Sequence, residues 1–341
     1  MLDEAREVLA GEAAWIVGGA IRNELLGKEV LDLDIATGDP KAAADAFGKR
    51  AGGAVFRLSG PHGAWRVAYR DGRTVDFTPL ADGIEQDLAD RDFTINAIAR
   101  PLAGGDELDP FGGHRDLDRR LIRAVRESVF RDDPLRLLRA VRLEDQLGFM
   151  IEPETEELIR RDAGLVTRPA GERILGELAQ LSAQAYPRLA ELGLLEPLGG
   201  SLDRLERAAP GDTRLLLTGV FGESLERLPI SNQLRRYARC VLSAELPIDL
   251  SPRAIHRFRR GTEPWATDAA RLHGGSDALL VAIEAAREVD PAGPLLRGDE
   301  LGMPPGPEIG RLLELVEEER AAGTISTRDE ALELVRRKAG T

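Results

Sequence analysis

Cysteine is nearly missing from this chain: Cys240 stands alone among 341 residues. A single thiol excludes an internal disulfide framework, and its apolar neighbours predict a buried, inert group. Long apolar runs are missing too. No stretch approaches the roughly 20 residues that cross a bilayer, and Met1-Leu2-Asp3-Glu4 is acidic where a signal peptide is basic. The expectation is a cytoplasmic protein with no membrane partner. Lysine is scarce, since 42 of the 46 basic residues are arginine, and this chain-wide preference weakens the reading of any one arginine cluster as a dedicated device. No Gly-x-x-x-x-Gly-Lys-Ser/Thr loop is present, which removes the P-loop kinase and helicase classes. Excess positive charge is absent as well. A net charge of -13 argues against a polyanionic partner unless the basic residues are gathered. Residues 115–142 hold nine arginines against five acids, while acid concentrates at 152–157 and 314–319. A basic lane on an acidic body and an ordinary solvated surface both remain open.

What is present divides near residue 125. Before it, short alternating segments (54–58, 64–69, 74–77) mix with helical ones (40–51, 84–89), predicting a mixed α/β head. After it, helical periodicity dominates. Leu135, Leu138, Val141 and Leu143, with Leu147 and Phe149 beyond, line one side of a predicted helix and leave Arg136 and Arg139 on another face. Proline and glycine clusters at 196–200, 209–212, 261–264 and 304–307 mark helix ends or joints. The length suffices for two or more cores, and no internal repeat appears.

The chemistry concentrates near the N-terminus. Trp15-Ile16-Val17 reads as a short buried strand, Gly18-Gly19 as the tight turn leaving it, and Arg22 to Leu26 as a helical turn ended by Gly27. Backbone N–H groups at such a turn can hold a phosphate. The run from Leu31 to Ile35 then alternates apolar and acidic, so Asp32 and Asp34 project from one strand face. Two carboxylates forced together repel, raise one pKa, and suit a hard divalent cation. Thr74-Val75-Asp76-Phe77 alternates like a neighbouring strand and could bring Asp76 beside them. The competing reading is a solvated acidic strand face.

Together, Gly18-Gly19-Ala20-Ile21-Arg22-Asn23 and Asp32-x-Asp34 resemble the first motif of the bacterial-type (class II) tRNA nucleotidyltransferases and of their relatives, the bacterial poly(A) polymerases. Further segments resemble the same family in order. Arg91-Asp92-Phe93-Thr94-Ile95-Asn96-Ala97 is similar to its ribose-recognition motif, and Asp109-Pro110-Phe111-Gly112-Gly113 with Asp116-Leu117 to its head-to-neck motif. Asp133-Pro134-Leu135-Arg136-Leu137-Leu138-Arg139 is similar to its nucleotide-selecting helix, and Glu172-Arg173-Ile174 with Glu177-Leu178 to the segment supporting that helix. A weaker likeness to the family's tail covers Leu295 to Leu301 and Pro305 to Gly310.

The resemblance implies an α+β fold: a polymerase-beta-like nucleotidyltransferase head (1–125), then an all-α neck (126–190), body (191–260) and tail (261–341), the last reaching tRNA. It implies template-independent addition to a tRNA 3′ end from CTP and ATP, with Mg²⁺ and release of pyrophosphate. Asp32 and Asp34 would carry the metal, and Asp76 would be a third acid near the primer hydroxyl. Gly18, Gly19, Arg22 and Arg91 would hold the triphosphate, while Asp92 and Asn96 would meet the sugar hydroxyls. Asp133 and Arg136, three apart on a predicted helix, point the same way. An acceptor beside a donor matches the edges of cytosine and adenine, whereas uracil and guanine present the reverse polarity, a mismatch costing about 1–3 kcal/mol. The alternative for this pair is an i,i+3 salt bridge worth only about 0.2–0.5 kcal/mol. Arg139 belongs to the same helix, and Glu172, Arg173 and Glu177 would support it.

Three departures from the family pattern bear on specificity. Only ten residues separate Asp76 from Asp87, where CCA-adding members carry a mobile arginine-containing loop; the short span resembles members that add two cytidines. Asp90 stands where a second arginine is common, and Asp132 where glutamate is common. None of His62, His114, His256 or His273 precedes an aspartate, so no His-Asp phosphohydrolase activity is expected. The sequence favours CC addition over complete CCA. An A-adding enzyme, a poly(A) polymerase and, from another class, a non-catalytic RNA-binding module remain as alternatives.

Overall fold

The computed structural model describes residues 1–58, 63–291, 293–304 and 306–339; His62 and Pro305, named above, lie outside them. The chain forms two compact units, Met1–Pro197 and Leu198–Thr341.

The first unit is built on a six-stranded sheet in the order β3-β4-β5-β2-β1-β6. The strands are β1 (Ala14–Val17), β2 (Asp32–Thr37), β3 (Ala54–Arg57), β4 (Trp65–Ala68), β5 (Thr74–Pro79) and β6 (Ala99–Pro101). β2 and β5 run parallel, and the other neighbours are antiparallel. The helices of this part are α1 (Leu2–Val8), α2 (Gly19–Leu25), α3 (Pro40–Ala51), α4 (Ile84–Ala89) and α5 (Gly113–Asp118). Local chemistry sets α3: the Asp39 carboxylate accepts from the Ala42 N–H at 3.0 Å, Pro40 opens the first turn, and Ala43, Ala44 and Phe47 are buried. Phe47 packs against Phe77, ring centres 5.6 Å apart, over the sheet face that also carries Leu33, Ile35, Val67 and Val75. With side chains alternating along each strand, the acids of β2 and β5 face the other way. The five segments predicted over 40–89 thus appear as α3, β3, β4, β5 and α4.

The rest of the first unit is helical apart from the two-residue strands β7 (Leu121–Ile122) and β8 (Met150–Ile151), which pair in parallel. It comprises α6 (Val129–Asp132), α7 (Arg136–Leu147), α8 (Pro153–Asp162), α9 (Gly171–Leu178) and α10 (Ala185–Glu191). Leu137, Leu138, Ala140, Val141 and Leu143 form the buried stripe of α7, and Gly148 ends it in the left-handed region (φ 65°).

The described residues of the second unit are helices and turns: α11 (Leu205–Ala208), α12 (Thr213–Phe221), α13 (Asn232–Leu242), α14 (Pro252–Thr262), α15 (Ala266–Leu272), α16 (Asp277–Glu288), α17 (Pro307–Ala321) and α18 (Arg328–Ala339). Side chains of Asp212, Ser231, Ser251 and Ser276 cap α12, α13, α14 and α16. Arg253, Arg257 and Arg260 of α14 pair with Glu319, Glu318 and Glu314 of α17. The acidic segment 314–319 is therefore the counter-charge of a basic helix. Leu296, Leu312, Val316, Leu334 and Val335 close a core around α17 and α18. Cys240 is half-buried, less enclosed than its neighbours predicted; its thiol donates to the Gly261 and Thr262 carbonyls, and desolvation raises its pKa. No described helix is long and apolar enough to cross a membrane.

Candidate active site

Register brings the acids together. Asp34 on β2 stands directly beside Asp76 on β5, and Asp76 stands opposite Arg66 on β4. Asp32, two residues along β2, is exposed and accepts from the Thr74 hydroxyl at 2.7 Å. The Arg66 guanidinium grips Asp76 with both forks, Nε to Oδ1 at 2.6 Å and Nη2 to Oδ2 at 2.7 Å. Burial pushes the Asp34 carboxyl up to about 6; Arg91 and Arg66 oppose this, and Asp76 and Asp32 add to it.

Above Asp34 lies the glycine turn. Gly18 has φ 75°, ψ −142°, a conformation that L side chains rarely adopt, and a Cβ there would stand 2.7 Å from Asp34 Oδ2 and 3.2 Å from Arg91 Nη1. Helix α2 begins at Gly19, a turn earlier than the expected start at Arg22. Arg91 is aimed by Asp87, one turn back, whose Oδ2 accepts from Nε and Nη2 at 3.0 and 2.8 Å.

A chain of polar contacts then runs from α2 to α9. Arg22 Nη1 donates to Asn96 Oδ1 at 2.6 Å, and Asn96 Nδ2 to Asp92 Oδ1 at 2.9 Å. Asp92 also accepts from the Phe93 N–H at 2.8 Å and from Arg139 Nη1 at 3.2 Å. Glu177 lies 3.5 Å from Arg139 and 2.9 Å from Arg142. Burial raises the Asp92 pKa, yet Arg139, Asn96 and the Phe93 amide together hold it below the usual carboxylate range. Burial lowers the Arg22 pKa against the pull of Asp92 and Asp34. Arginine ionises so far above neutrality that Arg22 stays cationic.

Asp133 and Arg136 do not share a helix, and this corrects the sequence reading. Asp133 is extended (φ −141°, ψ 98°) and precedes α7, which starts at Arg136. Proline at 134 disfavours helical geometry at the preceding residue. The Asp133 carboxylate accepts from the Leu135 N–H at 3.2 Å and from Arg173 of α9 at 2.7 Å, and Arg136 donates to the carbonyls of Asp90 and Val129. Glu172 is exposed in the first turn of α9. Asp90 and Asp132 are both held by Arg126, at 2.7 and 3.0 Å, so the Asp90 charge is engaged at the surface.

The arginines of 115–142 serve mainly as internal counter-ions. Arg123 pairs with Asp116 and Glu152, Arg126 with Asp90 and Asp132, and Arg131 with Asp162. Asp116, fully buried, also accepts from the Thr94 hydroxyl at 2.7 Å and so ties the 94–96 turn to Arg123. The Asp109 carboxylate accepts from the Gly113 and His114 N–H groups at the start of α5. Sequence reasoning missed Arg66, Arg123, Arg126 and Arg142. A hairpin centred on Asp71 would have found the first, because it pairs Arg66 with Asp76; helical spacing from Arg139 would have found the last.

The site therefore has an acidic end (Asp32, Asp34, and Asp76 with Arg66) and a basic end (Arg22, Arg91) around a polar floor (Asp92, Asn96). Among the described residues no set of three His, Cys, Asp or Glu side chains forms a ready-made metal shell. Two adjacent carboxylates, one with a raised pKa, nevertheless fit an ion such as Mg²⁺, which takes one or two carboxylates and fills its octahedron with water and phosphate oxygens.

An acid-bearing mixed sheet with a glycine turn, joined to a helical arm, defines a nucleotidyltransferase. The description "Poly A polymerase head domain" matches residues 14–80 and 64–123, and "Probable RNA and SrmB- binding site of polymerase A" matches 148–203. The chain is 34% identical to the A-adding tRNA nucleotidyltransferase of Deinococcus radiodurans, covering 95% of each chain. It is 30% identical to the CC-adding tRNA nucleotidyltransferase of Geobacter sulfurreducens, covering 96% of this chain and 92% of that one. Its fold superposes on the Thermotoga maritima CCA-adding enzyme complexed with tRNA with TM-score 0.77 and 25% identity, over 99% of this chain and 94% of that one. The chain belongs to the family of tRNA nucleotidyltransferases that includes CCA-, CC- and A-adding enzymes, and it is an enzyme. That family generally uses divalent metals.

Proposed function

We propose that this protein adds two cytidines to the 3′ end of tRNA from CTP, in the cytoplasm, with Mg²⁺ carried by Asp32 and Asp34. The observation that carries this reading is the short connection after the acid-bearing strand: β5 ends at Pro79 and α4 begins at Ile84. That leaves no room for the loop that the family resemblance associates with a switch to ATP. A second reading, A addition, has the 34% identity to the A-adding enzyme in its favour.

In this reading the head is 1–125, the neck 126–190, the body 191–260 and the tail 261–341, with the tail meeting tRNA by shape and backbone. The Gly18-Gly19 turn, Arg22 and Arg91 hold the triphosphate; planar guanidinium groups suit phosphate oxygens. Asn96 and Asp92 meet the ribose hydroxyls, and the Arg22–Asn96 bond couples sugar placement to phosphate placement. Asp133, fixed by Arg173, and Arg136 are the residues that the family resemblance assigns to the base edge, here on separate segments and not as neighbours on one helix. Glu177 fixes Arg139 and Arg142 behind them. Asp76 stands beside the attacking hydroxyl. Asp32 and Asp34 would hold a divalent ion, which when bound would supply Lewis-acid chemistry to the hydroxyl and charge screening to the pyrophosphate.

The test is incubation with Mg²⁺, CTP and ATP, separately and together, on tRNA transcripts lacking all three terminal nucleotides or ending in two cytidines, with products sized to one nucleotide. Arrest after two cytidines is expected. Adenosine added only to the longer transcript would instead establish the A-adding reading, and a full CCA end would show that the loop is dispensable.

A further inference from the structure

Arg66 lies outside every segment that resembles a family motif, yet it makes the closest charged contact at the acidic end of the site. Three cross-strand neighbours, Arg66, Asp76 and Asp34, form one row across β4, β5 and β2 on a single sheet face. Directly opposed strand residues share a face, and their register is fixed by the strands themselves. The two-pronged bond of Arg66 engages both Asp76 oxygens, at 2.6 and 2.7 Å. The pair is substantially enclosed, with side-chain exposure of 33% for Arg66 and 13% for Asp76. A bidentate guanidinium–carboxylate pair on rigid strands has a defined geometry that a solvated surface pair lacks. Among the described residues Asp34 has no such two-pronged bond, though Arg91 lies near it, and Asp32 accepts from the Thr74 hydroxyl.

We propose that Arg66 is a positioning residue that holds Asp76 away from the divalent ion, so that Asp32 and Asp34 alone carry the metal while Asp76 remains an adjacent acid. The inference deepens the reading of Asp32 and Asp34 as metal carriers and rests on it. Without the Arg66 guanidinium, three carboxylates would share one face with Arg91 as the remaining nearby cation. Such a face would attract a free divalent ion strongly, with Asp76 competing as a third carboxylate where one or two suffice. With Arg66 in place the site is one charge less negative, and Asp76 keeps its oxygens turned to its partner. Asp32 and Asp34 would then hold the ion loosely enough to share it with the nucleotide's phosphates.

The test reads metal binding directly. Mn²⁺ is titrated into nucleotide-free full-length protein, free Mn²⁺ is followed by electron paramagnetic resonance, and folding is checked by circular dichroism. Arg66→Gln should bind Mn²⁺ at least about tenfold tighter than wild type, since a like-charged cation has gone and Asp76 is released. The double variant Arg66→Gln with Asp76→Asn replaces a neutral pair by a neutral pair and should bind within about threefold of wild type. Arg66→Gln binding no tighter than wild type would overturn the inference. So would a tenfold loss in the double variant, because that would make Asp76 a ligand. The double variant also serves if the single one does not fold. Asp34→Asn provides the separate control: Mn²⁺ binding that survives this change overturns the metal-site reading itself.

Discussion

At Asp34, burial and the neighbouring Asp76 and Asp32 carboxylates push the pKa to about 6, from 3.8 in an unhindered aspartate. The position therefore costs stability in the metal-free protein whenever Asp34 is ionised. The sign follows from linkage: a carboxyl raised on folding favours the folded state below about pH 4 and loses that advantage as pH climbs through about 6. Asp34→Asn should raise metal-free stability by about 1–3 kcal/mol at pH 8. The gain should fade as pH falls toward 4, while nucleotidyl transfer is abolished. Urea unfolding at the two pH values in the presence of chelator measures this. An Asn variant less stable than wild type at pH 8 would show that burial among the acids does not disfavour the ionised Asp34. Gly18 meets a related constraint, since a Cβ would enter the space of the Asp34 carboxylate. The same contact that excludes a side chain lets the turn's backbone approach the acids.

At the scale of elements, α7 and α9 are joined by buried charge. Glu177 faces both Arg139 and Arg142, so Glu177→Ala leaves two enclosed guanidinium groups without that partner. A loss of about 3 kcal/mol is expected, measured by chemical denaturation, together with weaker selection among nucleotides because Arg139 also positions Asp92. Helix α5 carries a pH-sensitive device of smaller size. His114 contacts Asp109 at 2.9 Å and Glu107 at 2.7 Å. Burial lowers its pKa, but those two carboxylates more than offset this and raise it overall. A raised histidine stabilises the fold at low pH and ceases to as pH rises through its folded value. His114→Ala should therefore lower the melting temperature at pH 6 and leave it nearly unchanged at pH 9. These elements also mark how far the sequence could be read. Alternation and helical periodicity located α3, α4, β3, β4 and β5, because each depends on local spacing; the short β6, β7 and β8 were not legible. The acid face was legible for the same reason. The relation of Asp133 to Arg136 was not, because the proline between them and the distant Arg173 decide it. Arg66, Arg123 and Arg126 stayed hidden because their roles come from pairing partners set by sheet register and tertiary packing.

Over the whole molecule, a net charge of -13 coexists with arginines spent largely on internal pairs. In the first unit they stitch the 90–162 region together, and in the second they join α14 to α17. Many of these pairs are partly exposed and individually weak, so their number is no argument for high stability. What remains at the head is a row of three carboxylates, Asp32, Asp34 and Asp76, of which Asp76 is paired with Arg66, with Arg91 near Asp34 and Arg22 bonded to Asn96. The central claim is that this group of acids performs nucleotidyl transfer and does more than bind RNA. Asp32→Ala tests it most directly, because Asp32 is exposed and its one described contact, to the Thr74 hydroxyl, can be lost without opening the core. Transfer of labelled CTP to tRNA and tRNA affinity by filter binding are measured side by side on wild type and variant. The account predicts transfer reduced by at least about a thousandfold, consistent with the loss of a metal-carrying group, with tRNA affinity within about threefold. Transfer at the wild-type rate in the folded variant would contradict it.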